Sequence, residues 1–491
     1  MRRVLLTVAT LLFAGQAWAT VHNVTNDATL TTAMGAGGAQ AGDVVNIAAG
    51  SYTVKPVPAN SGSAGSPIRI VGSQSNPGSV SFSVGIDWAS GTRSYISWTG
   101  LGLGNDVTFT RADHCSLTYC KVDSGGLVSY GSNSDPTSAG ISTDNYIGYS
   151  TFRQNIGVNG MAVVFKRTER TTVERCRFFQ TITNAAADGR GRYLYRSSNN
   201  NFTDTYMEVE CWGAENGEQF VQGIRDSSAN NTFLRDSIRI GMVSKRSRRC
   251  LLSQSGTFAG TATPNYWISC DYRSFHETAT DNAFEWQDGT GGLCQNTVFA
   301  SRMGRALAFP GSATTPGLVL RHVTVYSGGQ QAFRYDHTTN PTGSRFNGMA
   351  IIARTTQTCG TGTALYKLET LGAFASSDSN AFYAADTAYT FVKAGGGTTC
   401  YTPAAWRTAT SNDLASRSYV LGAGVVTDTT WATLDLRPAA SSTLVSSLFP
   451  GGYAGAFNAA AAETPAATYY GGWNDDDWYV WPDFYRRERD E

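Results

Sequence analysis

The sequence has no surplus of charge of either sign. Its 38 Lys and Arg balance 38 Asp and Glu, for a net charge of +0. A nucleic-acid partner needs a basic surplus and is not expected. Charged residues make up only 15% and histidines number 5, so clusters of metal-ligating or proton-shuttling side chains are scarce. None of the cysteines forms a CxxC pair, which removes the usual zinc spacings. No Gly-x-Ser-x-Gly elbow is present, so a Ser-His-Asp hydrolase of that kind is not expected. Beyond the first residues no apolar run approaches the roughly 20 residues that a membrane span requires.

What is present begins with a leader. Met1-Arg2-Arg3 is basic, Val4 to Ala14 is apolar and Ala17-Trp18-Ala19 is a small-x-small site, the three parts of a secretory signal peptide. Cleavage after Ala19 and a secreted or periplasmic location are expected. Nine cysteines is then an odd number for an oxidising compartment. Cys115 and Cys120 could bridge across a turn, and Cys359 could reach Cys400. Most of the cysteines, Cys176, Cys211, Cys250, Cys270 and Cys294 among them, are expected as small buried hydrophobes.

Gly at 53 and aromatics at 12% suit an all-β chain. From residue 163 to 352 one phrase returns with different letters. Val163-Val164-Phe165-Lys166 leads to Val173 and Phe178, and Tyr193-Leu194-Tyr195-Arg196 leads through Asn199-Asn200-Asn201 to Phe202. Phe220 to Arg225 leads through Asn230-Asn231 to Phe233, and Ala283 to Trp286, Ala306 to Phe309 and Ala332 to Tyr335 repeat the pattern. Paired short strands returning every roughly 22–30 residues mark a solenoid whose coils bury their apolar faces against one another. The Asn tracts suit stacked turns, because Asn tolerates the left-handed conformation.

Before the repeats, Ala28 to Met34 has helical character and would cover the open end of the coil. It is followed by the stretches GDVVNIAAGSYT, GSPIRIVGS and YISWTGLGL. This order resembles the N-terminal part of secreted right-handed parallel β-helix proteins, including polysaccharide lyases of the pectate-lyase and chondroitinase-B/alginate-lyase type. Asn380, Trp406, Asp413 and Ser416 resemble the coda of such proteins. The resemblance implies one all-β domain over residues 20–457, a right-handed parallel β-helix with an N-terminal cap over about 20–90. Residues 458–491 read as a linker and an acidic-aromatic tail.

Lys166, Arg196 and Arg225, spaced 30 and 29 residues apart, occupy nearly the same place in consecutive phrases. In register they would form a column of cations on one wall, which an anionic glycan would neutralise. Glu208, Glu210, Glu215 and Glu218 could neutralise it internally. The segment GEQFVQGIRDSSANNTFLRDSIRIGMVSKRSRRC resembles the lyase core, which implies Arg225 at the place of the catalytic Lys, Arg246 near the catalytic Arg and Glu218 as a Ca2+ ligand. It departs from that core at Asp226 and Phe220 and lacks Arg-His-Gly. Abstraction of a uronate C5 proton needs a neutralised carboxylate, a base and an acid. Lys166, Arg225 and Arg246 are therefore the candidate catalytic residues. Arg196, Lys245, Trp286 and Tyr335 are candidates for substrate binding. The expected activity is β-elimination on an acidic, uronate-containing polysaccharide. Two other classes stay open: a glycoside hydrolase using paired carboxylates from Glu277, Asp281, Glu285 and Asp288, and a non-catalytic carbohydrate-binding protein.

Overall fold

The computed structural model describes residues 19–438 apart from 88–90, 131–139, 157–160, 183–189, 212–219, 226–227, 241–251, 256–264, 276–281, 286–291, 310–317, 330–331, 336–343, 355–365, 369–375, 385–398, 412, 415, 421–425 and 429–434. Residues 1–18 and 439–491 lie outside the described residues.

The coils form a parallel β-helix. Its first wall is a sheet of 14 strands running from Val21–Val24 to Ser376–Asp378, and its second is another of 14 running from Gly50–Tyr52 to Arg417–Val420. The third wall is made by a six-stranded sheet, Val107–Thr110 to Leu252–Ser255, and a four-stranded one, Asn282–Glu285 to Tyr366–Leu368. A fourth, narrow wall has four two-residue strands. Each expected pair of strands per phrase is thus three or four. The run from Val173 to Phe178, read as one strand, is two strands on different walls with a corner at Arg175.

Two kinds of corner set the coil's shape. Between the first and second walls sit Tyr119, Tyr149, Arg175, Asp204, Arg235, Ser269, Asn296 and His322, with φ between 49° and 54°. A left-handed non-Gly residue costs about 1–2 kcal/mol. The cost is offset because the next residue then turns inward: Cys120, Ser150, Cys176, Thr205, Asp236, Cys270, Thr297 and Val323 are all buried. Entering the first wall, the inward residue is Asn145, Asn200, Asn231 and Asn265 on four of the coils. Asn231 Nδ2 donates to Ser197 O and Asn265 Oδ1, both at 3.0 Å, and its Oδ1 accepts from Asn200 N and Nδ2. The expected Asn stack is therefore a hydrogen-bonded ladder that satisfies corner backbone the sheets cannot reach. Asn231→Ala, which strands those groups, is expected to cost roughly 1–3 kcal/mol, read as a lower denaturation midpoint.

The interior is a set of stacked columns. Phe202, Phe233 and Trp267 stack at 5.2 and 5.5 Å between ring centroids. At the N-terminal end the helix Asp27–Met34, capped by Asn26, buries Leu30, Ala33 and Met34 in this core. Cys115 and Cys120 do not bridge: they sit at different corners as free, buried thiols, as do Cys176 and Cys270. Burial pushes each of these four thiols up to about 12. Cys294 is free and buried too. Cys400 is disulfide-bonded. Cys359, and the side chains of Cys211 and Cys250, lie outside the described residues.

Candidate functional site

Lys166 and Arg225 stand in one register column of the third wall, and Arg196 stands one residue outside it. Strand Met161–Lys166 pairs with Arg190–Tyr195 so that Lys166 meets Tyr195, and Tyr195 meets Arg225 of Phe220–Arg225. Arg196 is not in that column. It stands at the corner with φ 49°, equivalent to Arg167 at 52°, because the strand ends one residue earlier than the phrase suggests. The register column is Tyr130, Lys166, Tyr195, Arg225. Rungs lie about 4.8 Å apart, so Lys166 and Arg225 are separated by two such steps.

Alternation along the strand decides which way the column faces. Val163, Phe165 and Leu194 are buried in the main core, so Val164, Lys166, Tyr193 and Tyr195 face out. Tyr193 packs with Val128 and Val164 in a separate apolar cluster on this outer face, and Tyr195 lies against it half-buried. The Tyr193 and Tyr195 rings are near-parallel, 16° apart in plane and 6.2 Å between centroids. Arg196 is exposed and its guanidinium lies 5.2 Å from the Tyr195 ring centroid. The wall thus presents a half-buried Lys166 beside an aromatic rung with a guanidinium laid over it.

Around the corner, the second wall has its own charged face, which the sequence reading passed over except for two of its acids. Asp123, Arg153, Phe179, Glu208, Arg239 and Arg273 form one outward register column. Arg239 and Arg273 close on Asp271 from two sides, at 3.2 and 2.9 Å. Burial would raise the Asp271 carboxyl, yet the two guanidiniums hold it below the usual carboxylate range. Tyr206 donates to Glu208 at 2.9 Å, and burial, with the Glu208 charge next, pushes its hydroxyl above the ordinary tyrosine range. Glu208 and Glu210 therefore belong to the second wall and do not lie among the cations of the third. The signal that could have found this face is the i, i+2 spacing of Tyr206, Glu208 and Glu210, which puts all three on one side of a strand.

Lys245, Arg246, Glu218 and Trp286 lie outside the described residues, as do Glu215, Glu277, Asp281 and Asp288. Arg225, Glu285 and Tyr335 are placed by their backbone alone. Tyr335 is in register with Phe309, which is buried in the core, and Glu285 with Ala308. Among the described residues one cluster has the donor set for a cation: Asp113, His114 and Asp144, whose ligand atoms lie within 4.8 Å of one another. The Arg170 guanidinium already holds Asp144 through two bonds of 2.8 and 2.7 Å, and His114 Nδ1 lies 2.9 Å from Asp113 Oδ1. That cluster does not suit a calcium ion and stands on the fourth wall, away from the Lys166 column.

Two solved polysaccharide lyases are similar to this chain, both at low identity. A mannuronic acid specific polysaccharide family 6 lyase from human gut microbiota is similar over 68% of this chain and 86% of its own, at 12% identity and a TM-score of 0.38. A PL6 family polysaccharide lyase from Pseudopedobacter saltans is similar over 81% of this chain and 91% of its own, at 13% identity and a TM-score of 0.29. No family model matches the chain, and no curated protein matches it in sequence.

The coda residues have a structural task. Asp413 accepts from Trp406 Nε1 at 2.9 Å, Asn380 Nδ2 at 2.8 Å, Ser416 Oγ at 2.8 Å and Ser377 Oγ at 3.1 Å. Asn380, Trp406, Asp413 and Ser416 are one buried knot that fastens the helix Pro403–Thr410 to the last coils.

Proposed function

We propose that this chain is an exported polysaccharide lyase that cleaves a uronate-containing glycan by β-elimination on the outer face of the third wall. The observation that carries the reading is the register column in which Lys166 and Arg225 flank Tyr195, its described side chains facing outward. A chain of uronate carboxylates is the ligand chemistry that a lysine on this outer face would take. The cation nearest the uronate carboxylate favours its enolate-like form and so acidifies the C5 proton. A neighbouring basic group, Lys166, Arg225 or Arg246, takes that proton. The C4–oxygen bond breaks as the C4–C5 double bond forms, and the departing oxygen takes a proton from an acid. Lysine serves as the base more readily than arginine, whose guanidinium stays protonated in proteins. A Ca2+ ion held by Glu218 would supply further positive charge at the carboxylate.

The test is a product assay on alginate, pectate, chondroitin and a neutral glucan. Near-ultraviolet absorbance from the unsaturated end is expected on an acidic polymer. Lys166→Ala and Arg225→Ala should each lower the rate by about 10²–10⁴-fold. Reducing ends without absorbance would make the chain a hydrolase, and retention on an affinity gel with neither signal would make it a binding protein.

A further inference from the structure

The residue between the two cationic rungs is an aromatic one, and this points to how a glycan is held. It rests on the reading that the third wall is the glycan-binding face. We infer that Tyr195 is a substrate-positioning residue on which one sugar ring stacks, while the neighbouring ring presents its carboxylate to Lys166.

Three features argue for it. First, Tyr195 is the only residue of its strand's outer face that is half-exposed and aromatic; Tyr193, its neighbour on that face, is 7% exposed and wedged against Val128 and Val164. The Tyr195 ring is therefore braced from beneath, which lowers the entropy lost when a ligand seats on it. Second, a pyranose ring is about as long as one rung step of about 4.8 Å. A glycan running along the coil axis then sets successive rings over Lys166 and Tyr195 in turn. Third, the ring is covered by something that moves cheaply. Arg196 is exposed, and an exposed guanidinium on a tyrosine face is held only weakly. An incoming sugar takes its place on the ring, and the released guanidinium is left beside the neighbouring carboxylate, where a bidentate pair is stronger than the contact it gave up. The off-by-one placement of Arg196 is what makes this exchange available: from the corner it reaches the ring from the side instead of standing in the column.

The experiment is affinity gel retardation with polymannuronate, polygalacturonate and chondroitin, each in native and carboxyl-reduced form, alongside initial rates. Stacking does not depend on carboxylates, so Tyr195→Ala should weaken retention by about tenfold on the native polymer and on its reduced form alike. Tyr195→Phe should restore both. Lys166→Ala should weaken retention only on the native polymer. In rates, Tyr195→Ala should raise KM and leave kcat within about twofold, since the lost contact is made equally in the bound and transition states. A merely structural tyrosine would lower native and reduced retention together with the melting temperature and would not give the KM-only signature. Unchanged retention and KM in Tyr195→Ala, with unsaturated product still formed, overturns the inference and leaves the lyase reading standing. Retention that depends on Tyr195 without any unsaturated product overturns the lyase and keeps the stacking subsite. Retention of none of the six polymers overturns both.

Discussion

Asp236→Ala should destabilise the coil by roughly 3–5 kcal/mol, the cost of leaving a buried charge without its partner. Asp236 occupies the inward corner position that holds Cys120, Ser150, Cys176, Thr205, Cys270 and Thr297 on other coils, and it is fully buried. Arg192 reaches it from the third wall through two bonds of 2.8 Å and is itself fully buried. Tyr272 donates to the same carboxylate at 2.9 Å, Thr205 donates through its hydroxyl, and the guanidinium lies 4.4 Å from the Phe202 ring centroid. Burial would push the Arg192 guanidinium down, but the Asp236 charge and its hydrogen bonds hold it above the ordinary arginine range. Alanine keeps none of this and leaves the cation in the core. The sharper test is the pair. Val107, Leu127 and Val163 are the apolar equivalents of Arg192 on preceding rungs, and Thr is an equivalent of Asp236. Arg192→Leu with Asp236→Thr should therefore lie within about 1–2 kcal/mol of the parent, because removing both charges together leaves no unpaired ion in the core. The measurement is the urea midpoint of both variants, with native-state hydrogen exchange of the strand Arg190–Tyr195 to localise the loss in a chain whose coils can open separately. A double variant as weak as Asp236→Ala would show that the pair is not the source.

That pair also shows where the sequence stops being legible. The solenoid could be read because its signals are local and repeated: Asn200 and Asn231 recur at one corner, and Phe202, Phe233 and Trp267 recur in one column. Arg192 looks like any strand-end cation, and nothing near it says that its partner is 44 residues away on another wall. The same limit produced the Arg196 error. Lys166, Arg196 and Arg225 align at spacings of 30 and 29, and Lys166, Tyr195 and Arg225 at 29 and 30, so length alone does not choose. The choice is made by the corner, which takes one left-handed residue after the strand ends, and an Arg in that conformation carries no mark in the sequence. Of the candidate site, the register that links Lys166 with Arg225 was legible, while the aromatic rung between them and the charged second wall were not. The coda was recognised as a pattern, but its role emerges only when Trp406 and Asn380 are seen to donate to one carboxylate.

Asp413→Ala should cost roughly 2–4 kcal/mol, since it strands buried donors of Trp406 and Asn380 at once. The carboxyl is almost wholly buried at a corner of φ 56°, and the described residues place no cation against it. Burial raises its pKa above the ordinary value of 3.8, and the four donors offset only part of that rise. The sign of the pH effect follows. Between 3.8 and the raised folded value the native chain binds more protons than the unfolded one, so this group's contribution is full below 3.8 and declines as pH rises through the folded value. Asp413→Asn removes that dependence, at the price of turning one acceptor into a donor against Trp406 Nε1 or the Ser377 hydroxyl. The parent should therefore lose stability in the last coils as pH is raised from 4 toward neutrality, and Asp413→Asn should not. Tryptophan fluorescence alone would mix 11 residues, so the parent and Trp406→Phe are compared by denaturant titration at each pH. Trp406→Phe deletes one donor to the carboxylate and should enlarge the total loss over the pH range, because the ionised form then has less to stabilise it. A decline of equal slope in the parent and in Asp413→Asn would place the titrating group elsewhere in the chain.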